Sequence, residues 1–148
     1  MSLVVAGALA YVLPPIEVAG VSVPAALIVA YAVALGVFID LDHFLIARFK
    51  TGSWDAVRFC LSNPTAAVAD QDRIFGRGDV GVLSRLLSHL LLAGILVSLL
   101  ALASVPLAIL TGAVLYVHIV CDVIWDIWRL DHHADAAANE DELLRALR

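Results

Sequence analysis

The fold is decided by the stretch LLSHLLLAGILVSLLALASVPLAILTGAVLYVHIVC, residues 86–121, which contains no Asp, Glu, Lys or Arg. A helix needs about 20 apolar residues to cross the hydrocarbon core of a membrane, and this stretch has 36 residues. The sequence Ala-Ser-Val-Pro at residues 103–106 predicts a tight turn in its middle. The stretch therefore predicts two membrane spans, over residues 86–103 and 105–128.

The N-terminal third of the chain predicts two further spans. Residues 18–39 form a second uncharged run, of 22 residues, which predicts a span over residues 23–46. Residues 3–19 are also apolar and predict a shorter or kinked span, because Pro14 and Pro15 interrupt a helix. A cleaved signal peptide is the alternative for this segment. A signal peptide has basic residues before its apolar stretch, and none precedes this one.

The composition predicts an integral membrane protein. Hydrophobic residues make up 62% of the sequence and the mean hydropathy is +0.96, whereas a soluble domain is about 45–50% apolar. We therefore expect one all-α domain, residues 1–148, folded as an integral membrane four-helix bundle. The net charge of −5, without a cationic stripe, excludes nucleic acid as a partner. Membrane lipids are the expected partners, and a homo-oligomer or a partner membrane protein remains open.

The basic residues predict the orientation in the membrane. All nine Lys and Arg residues lie either between the second and third predicted spans or after the fourth. Because loops rich in Lys and Arg stay in the cytoplasm, we expect a multi-pass cell-membrane protein with a cytoplasmic loop (47–85), a cytoplasmic tail (129–148) and both termini inside. Within the loop, residues 53–61 predict a short amphipathic helix with Ser53 as its N-cap.

Five titratable side chains interrupt the predicted spans near their cytoplasmic ends. They are Asp40, His43, His89, His118 and Asp122. Three separate spans carry them at one predicted depth, and ionisable residues inside membrane spans are rare and usually functional. For each residue taken alone, the alternative is a structural role, such as a buried core histidine or a hydrogen-bonded pair between helices.

The spacing of these residues favours one shared metal ion over separate structural roles. His118 and Asp122 are four residues apart and share a helical face, and Asp40 and His43 are three residues apart. Imidazole nitrogens combined with carboxylate oxygens suit zinc or manganese. We therefore predict a divalent metal site built from all five residues.

Two more carboxylates lie close to these residues in the sequence. Asp42 lies between Asp40 and His43, and Asp126 follows Asp122 by one helical turn. We predict that Asp42 and Asp126 act either as the general base of a reaction or as outer partners that orient the metal ligands.

Three segments resemble the motifs of membrane-bound metal-dependent hydrolases of the YdjM type. Residues 39–43, Ile-Asp-Leu-Asp-His, resemble the family's Pro-Asp-Ile-Asp-His. Residues 84–89 resemble its His-Arg-x-x-Thr-His segment, and residues 117–122 resemble its Ser-His-x-x-x-Asp segment. The departures include Ile39, which replaces the proline, Ser84, which replaces the first histidine, and the lack of the histidine that family members often carry in the N-terminal span. The resemblance implies a divergent metal-dependent hydrolase with a reduced ligand set, and it implies no particular substrate.

The predicted function is a membrane-embedded metal-dependent hydrolase with its site at the cytoplasmic leaflet, acting on a lipid headgroup or a phosphate ester. The alternative is a non-catalytic small membrane subunit or scaffold with a structural or vestigial metal site. An ion or proton carrier is a third hypothesis. It is disfavoured because the outer halves of the last two predicted spans contain few polar residues.

Overall fold

A computed structural model describes residues 2–18, 20–65, 73–75, 79–134 and 144. In chain order the elements are α1 (Ser2–Val12), β1 (Glu17–Val18), β2 (Val21–Ser22), α2 (Ala25–Phe38), a 3₁₀ turn (Ile39–Leu41), α3 (Asp42–Thr51), α4 (Asp55–Ser62), α5 (Val82–Ala103) and α6 (Val105–Ala134). The two short strands form an antiparallel hairpin in which Glu17 lies opposite Ser22. The described residues are thus mainly helical, as the sequence predicts.

In the described part of the chain, three helical segments are long and apolar enough to cross a membrane. They are Ala25–Thr51, Val82–Ala103 and Val105–Arg129, with 27, 22 and 25 residues. Each exceeds the roughly 20 residues that a crossing requires. They overlap with the second, third and fourth predicted spans, so helices long and apolar enough to span a membrane are confirmed at these three places.

The N-terminal segment differs from the span predicted over residues 3–19. Helix α1 ends at Val12, and its 11 residues reach about 16 Å at 1.5 Å per residue, half the thickness of the hydrocarbon core. The helix stops there because Pro14 and Pro15 have no backbone N–H to extend it. The chain then enters the hairpin, where Gly20 has the positive φ of 79° that favours glycine. The count of four spans therefore stays a prediction.

The chain divides into two compact units, and the first comprises Met1–Asp40 and His89–Trp125. Its buried apolar side chains form two groups, one of Ala6, Ala32 and Val114 and the other of Ile16, Ile28 and Leu110. The small alanine side chains let neighbouring helices approach closely. A partly buried hydrogen bond between Tyr31 and Thr111, 2.8 Å between the hydroxyl oxygens, also joins α2 to α6.

The second unit comprises Leu41–Ser88 and Asp126–Arg148. It contains α3, α4 and the first residues of α5. The predicted tail begins as helix, since α6 continues through Ala134. Beyond Ala134 the structure describes only Leu144, so most of the tail lies outside the described residues.

A tight corner connects α3 to α4 in this second unit. Gly52 has a φ of 74°, and its N–H donates to the carbonyl of Arg48 at 3.0 Å, which ends α3. Helix α4 begins at Asp55, two residues after the predicted start. Ser53 is not the N-cap residue that was predicted, but its Oγ accepts a hydrogen bond from the N–H of Asp55 at 3.4 Å. The predicted loop helix is therefore present with a shifted start.

Candidate metal centre

The first unit brings together four of the five predicted metal ligands. Asp40 lies in the 3₁₀ turn that follows α2, and His89 lies on α5. His118 and Asp122 lie one turn apart on α6. One donor atom from each of these four side chains lies within 4.8 Å of the donor atoms of the other three. We call these four residues the His–Asp cluster.

Both imidazoles of the cluster face the same two carboxylates. The Oδ1 atom of Asp40 is 3.2 Å from Nε2 of His89 and 3.2 Å from Nε2 of His118. The Oδ2 atom of Asp122 is 3.5 Å from Nε2 of His118 and 3.8 Å from Nε2 of His89. The two rings stack with centroids 5.5 Å apart and planes inclined by 26°. Two nitrogens and two oxygens therefore lie within 4.8 Å of one another.

These separations match those between ligand atoms around a metal ion. Zinc binds imidazole nitrogen and carboxylate oxygen at about 2.0–2.2 Å, so two ligands in a tetrahedral arrangement lie about 3.3–3.6 Å apart. The four measured nitrogen–oxygen distances run from 3.2 to 3.8 Å. Hydrogen bonds account for the two shortest distances only, because such bonds end near 3.2 Å. The His–Asp cluster can thus hold a metal ion.

The imidazoles of the cluster are more deeply buried than its carboxylates. The side chain of His89 is 2% exposed and that of His118 is 15% exposed, whereas Asp40 is 43% and Asp122 is 30% exposed. The burial of His89 is unusual for a polar residue on α5, and contact with Asp40 satisfies one of its ring nitrogens. The carboxylates are therefore the more exposed side of the cluster.

The fifth predicted ligand, His43, lies in the second unit. Its Nε2 is 3.6 Å from Oδ1 of Asp42, and its ring meets the ring of Phe75 edge-on with centroids 6.1 Å apart. Asp42, a predicted catalytic residue, is buried and accepts a hydrogen bond from Oγ of Ser88. The role of His43 as a metal ligand and the catalytic role of Asp42 stay predictions.

Asp126, the other predicted catalytic residue, forms an ion pair with Arg85 in the second unit. Oγ of Ser88, which donates to Asp42, also lies 2.9 Å from the backbone carbonyl of Arg85, a second acceptor for the same proton. We call Asp42, Arg85, Ser88 and Asp126 the Arg–Ser–Asp network. Its arginine and serine were not among the predicted site residues. A signal was present in the sequence, because Arg85 precedes His89 by one helical turn at the start of an apolar helix.

Comparison of the chain with family models, with curated proteins and with solved structures finds no match. The likeness of three short segments to YdjM-type hydrolases therefore stays a prediction that rests on those segments alone.

Proposed function

We propose that the protein is a membrane-embedded metal-dependent hydrolase. The observation that supports this proposal is the spacing within the His–Asp cluster, whose two nitrogens and two oxygens are separated like the ligands of one ion. This mixed donor set suits zinc or manganese. Such an ion would supply an activated water and charge stabilisation for an ester oxygen.

With all four cluster residues as ligands, catalysis would require the ion to take water as a further ligand on the more exposed, carboxylate side of the cluster. Structural metal sites are closed, whereas catalytic sites keep one position for water or substrate. Asp40 and Asp122 are 43% and 30% exposed, so a substrate can approach between them. The buried imidazole of His89 would bind the ion from α5, and the imidazole of His118 would bind it from α6.

The two predicted catalytic carboxylates would have different roles. Asp126 is engaged by the guanidinium of Arg85, so we propose that it holds Arg85 in place and does not orient a metal ligand. Asp42 accepts a hydrogen bond from the Ser88 hydroxyl, which fixes the orientation of its carboxylate. The predicted role of Asp42 as a general base rests on its place in the sequence, between Asp40 and His43.

The proposed location is the cytoplasmic leaflet, with both termini inside the cell. The distribution of Lys and Arg supports it, because they flank the membrane segments on one side only. A substrate at this depth would be a lipid headgroup ester or another phosphate ester. Single cysteines in a chain without Cys60 and Cys121 test the orientation. A membrane-impermeant thiol reagent should label position 103 in intact cells and position 63 only after permeabilisation, and the reverse result would contradict it.

The test of the hydrolase proposal measures metal content and turnover together. The protein is purified in detergent, loaded with zinc or manganese, and assayed on lipid phosphate esters and soluble phosphate monoesters. Wild type should bind metal and release phosphate, and His118→Ala should lose both. Tyr116→Phe is a matched control, because Tyr116 lies on the same helix with its side chain exposed. It should keep both properties.

A structural metal site in a non-catalytic subunit is the second candidate. The observation that favours it is the burial of His89, whose ring stacks on His118 and ties α5 to α6. In that case His118→Ala would lower the melting temperature of the metal-loaded protein, and wild type would bind metal without hydrolysing any ester in the panel. Wild type that binds no metal would reject both candidates.

A further inference from the structure

The corner between α3 and α4 carries a group of cations in an otherwise acidic chain. Within residues 43–65 the basic side chains are Arg48, Lys50 and Arg58, which we call the corner cations, and the acidic side chain is Asp55. With histidine neutral, this segment has a net charge of +2, whereas the whole chain has a net charge of −5. All of its residues are described. The corner therefore attracts anions although the protein as a whole repels them.

Local contacts hold this corner in a defined shape. The hydroxyl of Thr51 donates to the carbonyl of Ala47 at 2.8 Å and accepts a hydrogen bond from the N–H of Ser53 at 3.2 Å. The guanidinium of Arg48 lies over the ring of Trp54, 5.6 Å from its centroid. A cation and an indole ring are thus presented side by side.

Large apolar side chains are exposed beside the corner cations. Phe49, next to Arg48 and Lys50, is 86% exposed, and Trp54 is 44% exposed. Leu61, near the end of α4, is 79% exposed. Tryptophan is enriched where a membrane segment reaches the headgroups, and Phe and Leu are typical of the apolar face of a helix that lies in this interface. The corner directly follows Ala25–Thr51, a segment long and apolar enough to cross a membrane.

We propose that the α3–α4 corner binds the headgroups of anionic phospholipids. The corner cations contact phosphate oxygens, with the guanidinium of Arg48 able to bind two oxygens of one phosphate. Phe49 and Trp54 occupy the boundary between headgroups and acyl chains. The net positive charge favours anionic lipid over zwitterionic lipid. This proposal needs only that Ala25–Thr51 inserts into a membrane, so it stands or falls separately from the hydrolase proposal.

Quenching of Trp54 fluorescence tests the proposal. The chain carries Trp125→Phe and Trp128→Phe, so that Trp54 is the only tryptophan, and is reconstituted in vesicles of phosphatidylcholine and phosphatidylglycerol. Each sample contains the two lipids at equal mole fraction, and one of the two is brominated. Brominated phosphatidylglycerol should quench Trp54 more strongly than brominated phosphatidylcholine. Equal quenching by the two lipids would overturn the proposal.

A matched pair of double variants distinguishes the effect of the corner cations on lipid preference from the effect of the total charge. Arg48→Gln with Arg58→Gln removes two corner cations, and Arg145→Gln with Arg148→Gln removes two cations elsewhere. The corner variant should reduce the lipid preference by about fivefold per cation, the usual effect of one basic residue near an anionic surface. The tail variant should keep the preference. An equal loss in both variants would contradict binding at the corner.

A second measurement uses the chain with all its tryptophans. Wild type and the same two double variants are purified from mixed phosphatidylcholine and phosphatidylglycerol membranes in a mild detergent, and the retained lipids are counted by mass spectrometry. Wild type and the tail variant should retain phosphatidylglycerol in excess, and the corner variant should not. Retention of the two lipids in the proportions of the membrane by wild type would also overturn the proposal.

Discussion

The His–Asp cluster and the Arg–Ser–Asp network contain the same kinds of carboxylate in opposite settings. In the network, the carboxylates of Asp42 and Asp126 receive hydrogen bonds from a serine hydroxyl and a guanidinium. In the cluster, the carboxylates of Asp40 and Asp122 face two imidazole nitrogens. The network thus includes a permanently charged cation, whereas each member of the cluster is a side chain that binds metals.

This difference shows how carboxylates are compensated on apolar helices. A charged side chain inside a membrane is costly unless an opposite charge or hydrogen-bond donors accompany it. Arg85 supplies the opposite charge for Asp126. For the two carboxylates of the cluster, a divalent cation would supply it and would also explain the 3.2 to 3.8 Å spacing. The two groups therefore differ in the partners of their carboxylates, which are a guanidinium and a hydroxyl in the network and two imidazoles in the cluster.

The largest expected effect comes from removing one imidazole of the cluster. His118→Ala should lower the affinity for zinc by more than about 100-fold, because loss of an outer-shell partner alone costs 10- to 100-fold. Asp126→Asn, the matched change in the network, should leave the affinity unchanged. Competition with a chelator of known affinity measures both. Equal losses in the two variants would break the distinction between the cluster and the network.

The membrane helices and the identity of the four cluster residues could be predicted from the sequence. Long uncharged runs fix the spans, because lipid excludes charge along a whole helix. The i, i+4 spacing of His118 and Asp122 places them on one helical face. Asp40 and His89 were assigned to the same site only because each lies near the predicted cytoplasmic end of its span.

The break between α2 and α3 could not be predicted in the same way. The turn Ile39–Leu41 has 3.0 residues per turn in place of 3.6, yet no Pro or Gly lies within it to indicate a change of helix type. The ion pair of Arg85 with Asp126 was also not predicted, because it depends on how two residues 41 positions apart in the sequence come together. Tertiary packing, which short sequence patterns do not encode, determines both features.

The second effect concerns the stability of the network. The side chains of Arg85 and Asp126 are 21% and 12% exposed, so Arg85→Ala would leave a largely buried carboxylate without its cation. We expect a loss of about 3 kcal/mol in the free energy of unfolding, measured by SDS titration in detergent, with zinc affinity unchanged. Adding Asp126→Ala should recover part of the loss, because the unpaired charge disappears.

The control for this prediction is an ion pair of the same type at the surface. Arg58 and Asp55 are 3.7 Å apart and highly exposed, so Arg58→Ala should change the free energy of unfolding by less than about 1 kcal/mol. A similar loss in Arg85→Ala and Arg58→Ala would show that the Arg85–Asp126 pair does not stabilise the protein beyond a surface pair. Loss of zinc binding in Arg85→Ala would show that the cluster depends on the network.

The smallest effect tests whether the cluster depends on other polar contacts within its own unit. The hydroxyl of Thr111 donates to the carbonyl of Leu107, so the hydroxyl of Tyr31 donates to Thr111. Tyr31→Phe removes that one hydrogen bond between α2 and α6. Polar contacts between membrane helices contribute about 0.6 kcal/mol on average, so SDS titration should show a loss of this size and zinc affinity should stay the same. Tyr116→Phe, at an exposed position on α6, should change neither quantity. A loss above about 2 kcal/mol would exceed the range known for such contacts, and a loss of zinc affinity would mean that the alignment of α2 with α6 controls the spacing of the metal ligands.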